Sequence, residues 1–146
     1  MIKAFLDASV LFAASYSSTG ASREIIRLAF RRQVQLVISE DVVEEAERNL
    51  AAKRPDALAV LHHILDSVPF QIVAPTTGEV QQAASFAVNK DAPIVAAAKK
   101  AGADKLVTLD RRRRVDVPEV AERSGLSIVL PEEVLGEIRG AEECQG

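Results

Sequence analysis

Short apolar or β-branched runs alternate with longer stretches of helical period along nearly the whole chain, and this alternation limits the fold more than any other feature. A strand buried on both faces reads as a continuous apolar run, whereas an amphipathic helix repeats its apolar residues every three or four positions. Ile2 to Leu6, Val34 to Ile38, Phe70 to Val73, Lys105 to Leu109 and Ser127 to Leu130 read as strands. Between them, residues 22 to 33 read as a helix with Ser22 as N-cap and arginines late. Ser39 caps a second from about Glu40 to Lys53, with Val43, Ala46 and Leu50 on its apolar side. Pro55 opens a third that runs to about Ser67, and the capping-box pair Thr76 and Glu79 precedes Val80 to Val88. Further helices are expected from Asp91 to Gly102, with Pro93 in the first turn, from Pro118 to Ser124, stopped by Gly125, and from Pro131 onward. Strand followed by helix at this spacing predicts an α/β fold, a three-layer α/β/α sandwich with a mostly parallel central sheet. No repeat, linker or low-complexity block interrupts it. Residues 1–139 therefore read as one domain, and the acidic segment 140–146 as a tail expected to fray.

The length of 146 residues suits a single core. The one cysteine, Cys144, excludes both a disulfide framework and a cysteine zinc site, which favours a reducing compartment. The opening apolar segment is interrupted by Lys3 and Asp7, too early for a membrane span or a signal peptide, so a cytoplasmic protein is expected. A net charge of −3 excludes a globally basic nucleic-acid binder. Any polyanion must meet local basic patches, for which Arg31-Arg32 and the run Arg111, Arg112, Arg113 and Arg114 are the candidates. Aromatics are few, five Phe, one Tyr and no Trp, so binding of a nucleic acid would fall mainly on phosphate contacts and a metal.

In open parallel sheets, ligands sit outside the carboxyl ends of the strands. Asp7 lies at that end of the first strand and Asp110 at that end of the fourth; Asp91 opens a helix, and Glu44 and Glu45 sit one turn into the helix after the second strand. A carboxylate on an apolar strand is costly unless neutralised, and several at one sheet edge repel each other unless a divalent cation lies between them. Oxygen ligands without Cys or His point to Mg²⁺ or Mn²⁺. Each acid also has a plainer role open to it. Asp7 and Asp91 could be N-caps, Asp110 the start of a polar turn, and the glutamates solvated helix residues. The inference rests on the set.

The wording around these acids resembles the PIN-domain nuclease family, which includes VapC-like toxins of toxin–antitoxin pairs and RNA-processing nucleases. Phe5-Leu-Asp7-Ala-Ser9-Val-Leu11 is similar to its opening motif, with Ser9 as the small polar residue two places after the acid. Ser39 through Leu50 resembles the segment that carries the family's glutamate, and the count from serine to leucine places it on Glu45; on a helical wheel Glu45 and Asn49 share a flank and Glu44 points further from the apolar face, but Glu47 borders the opposite flank, so phasing alone does not decide between them. Asp91-Ala-Pro-Ile-Val-Ala-Ala-Ala resembles the third acidic motif, and Gly102 through Asp110 the fourth, in which Thr108 supports the site. The chain departs from the pattern in Ala8, where many relatives carry a hydroxyl residue, and in the weight of the Arg111 to Arg114 run.

The resemblance spans roughly residues 2 to 130 and implies hydrolysis of RNA phosphodiesters. Asp7, Glu45, Asp91 and Asp110 would be the catalytic, metal-binding acids for Mg²⁺ or Mn²⁺, with Ser9 and Thr108 in support and Arg111 to Arg114 on substrate. It also implies an antitoxin protein as a partner to look for, and leaves a homodimer open. Other classes compete. A receiver-type phosphoacceptor wants a pair of adjacent acids early, but Asp7 stands alone; a haloacid-type phosphatase wants an aspartate where Ser9 stands. A catalytically idle interaction module has no need of the acid set. His62 and His63 are adjacent but point about 100° apart on a helix, one expected half-buried and one solvated.

Overall fold

A computed structural model describes residues 1–87, 91–110 and 125–145, with side chains described as far as residue 140. The chain runs β1 (Lys3–Leu6), α1 (Ala8–Tyr16), α2 (Ala21–Phe30), β2 (Gln35–Ser39), α3 (Glu40–Lys53), a 3-10 turn (Pro55–Ala57), α4 (Leu58–Ser67), β3 (Gln71–Val73), α5 (Thr77–Ala84), α6 (Ala92–Lys100), β4 (Lys105–Val107), β5 (Ser127–Val129) and α7 (Pro131–Gln145). The expected short helix at Pro118 to Ser124, the arginine run and Val88 lie outside the described residues.

The strands pair in the order β3-β2-β1-β4-β5, all parallel. β1 is central, and Ala4, Phe5 and Leu6 are completely buried, as an apolar run covered on both faces must be. The chain steps from β1 outward to β2 and β3, then crosses back to β4 on the other side of β1. With right-handed crossovers this reversal sends the helices to opposite faces. α1 packs against α2, α3 and α4, and α7 joins α2; α5 packs against α6, which lies on β2 and β4. The result is the expected three-layer α/β/α sandwich. Its consequence is a topological switch point between β1 and β4, where the connections diverge and leave a crevice at the carboxyl edge.

Several local expectations shift. α2 is capped by Gly20, not Ser22, which is buried within the first turn. It ends at Phe30, where Arg32 adopts φ 62 and closes the helix by the bonds Arg32 N–H to Ala29 O (3.0 Å) and Gln33 N–H to Leu28 O (2.9 Å). Gly102 performs the same closure on α6, with φ 68. In α3 the buried row is Val42, Ala46 and Leu50; Val43 stands only partly covered, because the row repeats every four residues from Val42. Pro55 opens the 3-10 turn, and α4 itself begins at Leu58. α5 stops at Ala84, where the Ser85 hydroxyl donates to the Gln82 carbonyl. The last helix continues through the expected tail as far as Gln145.

Candidate active site

Asp7 follows β1 directly and serves as the N-cap of α1, accepting from the backbone N–H of Ser9 (3.1 Å) and Val10 (3.4 Å) on Oδ1. Its own N–H donates to Val107 O of β4 at 3.2 Å, so the residue is seated across the β1–β4 seam. The carboxylate is 1% exposed. Burial of such a group is tolerable only if its oxygens are satisfied. Both accept a hydroxyl: Oδ1 from Ser9 Oγ and Oδ2 from Thr108 Oγ1. Each hydroxyl is oriented in turn by the chain just beyond β4. Leu109 N–H donates to Ser9 Oγ at 3.1 Å, and Asp110 N–H donates to Thr108 Oγ1 at 3.0 Å. Asp7 is therefore an N-cap and also the centre of a two-armed network that joins the ends of β1 and β4. The cap does not replace the larger role.

The other expected site residues differ in burial and in the element that carries them. Asp110 is half-buried directly after β4, and its backbone belongs to the network. Asp91 stands at the N-cap position of α6, yet its side chain makes no capping bond and its backbone is already helical, so the plain capping role does not account for it. On α3, Glu45 is half-buried and Glu44 exposed. Asn49 and Lys53, one and two turns beyond Glu45, line a groove of about 240 Å³ with Ser9, Phe12, Tyr16 and Leu109. Glu44 instead lines a separate groove with Glu40 and Glu47 against the edge strand β3. Among the described residues, no three Asp, Glu, His or Cys side chains come together closely enough to hold a metal ion. The structure thus brings Asp7, Ser9, Thr108 and the backbone of Asp110 together.

The remaining candidates fall elsewhere. His62 and His63 are both exposed, contrary to the half-buried expectation for one of them, because Leu61 and Ile64 take the buried positions of α4. His62 lies 3.6 Å from Glu47. Arg31 and Arg32 lead into the amino end of β2, at the sheet edge opposite Asp7. Asp104 also lies at that far edge, where its carboxylate accepts from Lys3 N–H at 2.9 Å. Sequence reasoning missed the juxtaposition of Phe12, Tyr16, Lys53 and Arg54. The i, i+4 spacing of Phe12 and Tyr16 was its available signal.

Asp7 is thus a carboxylate fixed at the switch point of a parallel α/β sheet, with hydroxyl partners two residues on and across the seam. The sequence matches the family model described as PIN domain over residues 3–112, and the chain belongs to the PIN-domain family, whose members are nucleases that generally use divalent metal ions. Among solved structures it is similar to PAE2754 from Pyrobaculum aerophilum, with 21% identity, 95% of this chain and 96% of that chain covered, and a TM-score of 0.64. It is also similar to a chain of VapBC2 from Rickettsia felis, solved bound to a DNA fragment from their promoter, with 16% identity, 88% and 98% covered, and a TM-score of 0.65. No curated protein matches. No helix among the described residues is long and apolar enough to cross a membrane.

Proposed function

We propose that this chain is a metal-dependent endoribonuclease, with Asp7, Glu45, Asp91 and Asp110 as the acids that hold one or two Mg²⁺ or Mn²⁺ ions. The single observation that carries the reading is the doubly hydroxyl-bonded, buried Asp7 at the β1–β4 switch point. The donor set fits a hard divalent ion: it consists of carboxylates and hydroxyls, while both histidines lie on α4 and the cysteine near the end of α7. When bound, such an ion lowers the pKa of a water molecule and offsets charge building on the phosphoryl oxygens. The chain's own contribution is positional. Ser9 and Thr108 fix the direction of the Asp7 lone pairs, and the N–H groups of Leu109 and Asp110 fix those hydroxyls. The Arg111 to Arg114 run, which follows Asp110 in the sequence, supplies phosphate contacts.

RNA is the substrate class we assign, in keeping with the family's nuclease activity. An antitoxin-type protein is the partner we assign, since VapBC2 offers a structural relative. The compartment we assign is the cytoplasm. The decisive experiment is RNA cleavage with Mn²⁺ by wild type, Asp7→Asn and the pair Glu45→Gln and Glu44→Gln, with circular dichroism alongside. Asp7→Asn should lower the rate at least about 100-fold while keeping the fold, since a lost electrostatic group in such a site costs that much. Glu45→Gln should fall far more than Glu44→Gln. Full cleavage by folded Asp7→Asn would overturn the assignment.

A further inference from the structure

We infer that the groove beside Asp7 seats a nucleobase: the base next to the scissile phosphate of a single-stranded substrate stacks on Tyr16, while Lys53 and Arg54 meet the neighbouring phosphates. The identity of the substrate rests on the nuclease reading above; the seat itself rests on geometry. Ser9, Phe12 and Tyr16 lie on one face of α1 at positions i, i+3 and i+7, so the groove runs about 10 Å from the Asp7 network to the aromatic end. The Phe12 and Tyr16 rings are 5.2 Å apart between centroids and inclined at 58°. Cations accompany both. Lys53 Nζ lies 5.9 Å from the centre of the Phe12 ring, and the Arg54 guanidinium lies 5.5 Å from that of Tyr16. Arg54 is held in place by Asp56, with Nη2 and Oδ2 3.3 Å apart.

Tyr16 is 44% exposed, and Leu109, which lines the same groove, is 39% exposed. An exposed aromatic flanked by a guanidinium and an ammonium group is the combination that binds single-stranded bases, which stack while cations meet the backbone. The comparison within the molecule favours this groove. The larger one beside β3, about 390 Å³, is rimmed by Glu40, Glu44 and Glu47 and would repel a polyanion. Aromatic scarcity in the sequence therefore understates the site, because two of the six aromatic residues meet at it.

Tyr16 is the only tyrosine and there is no tryptophan, so tyrosine emission from the full chain reports on this groove alone. The test is titration without divalent ion, to prevent cleavage, with a short single-stranded oligoadenylate and, separately, with inorganic polyphosphate. Oligoadenylate should quench the emission saturably and much more strongly than polyphosphate, which can meet Arg54 beside the ring but cannot stack on it. Tyr16→Leu should bind a labelled oligoadenylate about fivefold more weakly or worse, from the usual size of a base–aromatic stack, while Tyr16→Phe keeps the affinity. Lys53→Gln should weaken binding without removing the quench. Binding of oligoadenylate with unchanged emission, unaltered affinity in Tyr16→Leu, or quenching by polyphosphate as strong as by oligoadenylate would each overturn the base seat. A chain that cuts RNA without the quench loses the seat and keeps the nuclease reading; one that shows the quench but cuts no RNA with Mn²⁺ keeps the seat and loses the nuclease reading.

Discussion

Each oxygen of the Asp7 carboxylate accepts a hydroxyl, and each hydroxyl accepts a backbone N–H from the segment that follows β4. Two strand ends are thus joined through one buried acid, so Thr108 affects stability as well as any chemistry. Thr108→Val keeps the shape of the side chain and removes the hydroxyl used by both Asp7 Oδ2 and Asp110 N–H. Loss of a partner for buried polar groups costs about 1–3 kcal/mol, so thermal unfolding should shift down by several degrees. Thr108→Ser, which keeps the hydroxyl, should recover most of that loss. A Thr108→Val chain that melts with the wild type would show that the network contributes nothing to the fold. The individual residues here were legible: an acid that ends an apolar strand, a serine two places on, a threonine two places before another acid. Their connection was not, because Asp7 and Thr108 are 101 positions apart and only the pairing of β1 with β4 brings them together. The same holds for Tyr16 and Arg54, which approach only because α1 packs on α3.

At the scale of elements, local chemistry was readable where a side chain itself makes the boundary. Thr76 and Glu79 form the expected capping box: Thr76 N–H donates to Glu79 Oε1 at 2.8 Å, and Glu79 N–H donates to Thr76 Oγ1 at 3.1 Å. Ser39 caps α3 by accepting from Val42 N–H, also as expected. The ends of α2 were not readable. Gly20 caps without a side chain, and nothing in an arginine announces that Arg32 will take a left-handed conformation. The α5 cap reaches further than its own helix, since Lys100 at the end of α6 donates to Glu79 Oε1 at 3.0 Å and to the carbonyl of Ala74 at 3.0 Å. The backbone bond from Thr76, and then Lys100, hold the Glu79 carboxyl below its ordinary pKa of 4.5. A depressed folded-state value stabilises the fold above the unfolded value, and that contribution disappears as pH falls through the folded one. Glu79→Gln keeps the capping geometry and loses the charge. Its melting temperature should therefore lie slightly below wild type at neutral pH, and the difference should close below pH 4.5 as acid is added. A gap of constant size across that range would assign the effect to packing instead of charge. The effect should be small, because the pair is exposed.

For the whole molecule, the parallel α/β class followed from periodicity, but the strand order did not, because an alternating pattern fits several orders. The order β3-β2-β1-β4-β5 gives the site its location. It places the ends of β1 and β4 side by side, and α6, with Asp91 at its start, lies on β4. Acids that are distant in sequence thus come from separate elements toward one edge of the sheet, while no three of the described ones stand at metal-binding distance. Under the proposed function, a divalent ion joins these elements, and its binding energy becomes folding energy. By mass action a ligand that binds only the folded chain stabilises it by RT ln(1 + [L]/Kd), about 1.4 kcal/mol at ten times Kd. For a domain of this size that corresponds to a rise of about 3–5 °C in melting temperature. Wild type should show such a rise with millimolar Mn²⁺, followed by calorimetry, and chelation should reverse it. Asp91→Asn is the informative variant, because it removes the charge at the start of α6 and keeps the size of the side chain. It should fold without added ion and gain clearly less than wild type when Mn²⁺ is present. Equal gains in the two chains would remove Asp91 from the metal site, and no gain in wild type would remove the ion from the proposal, leaving Asp7 as a structural link between β1 and β4.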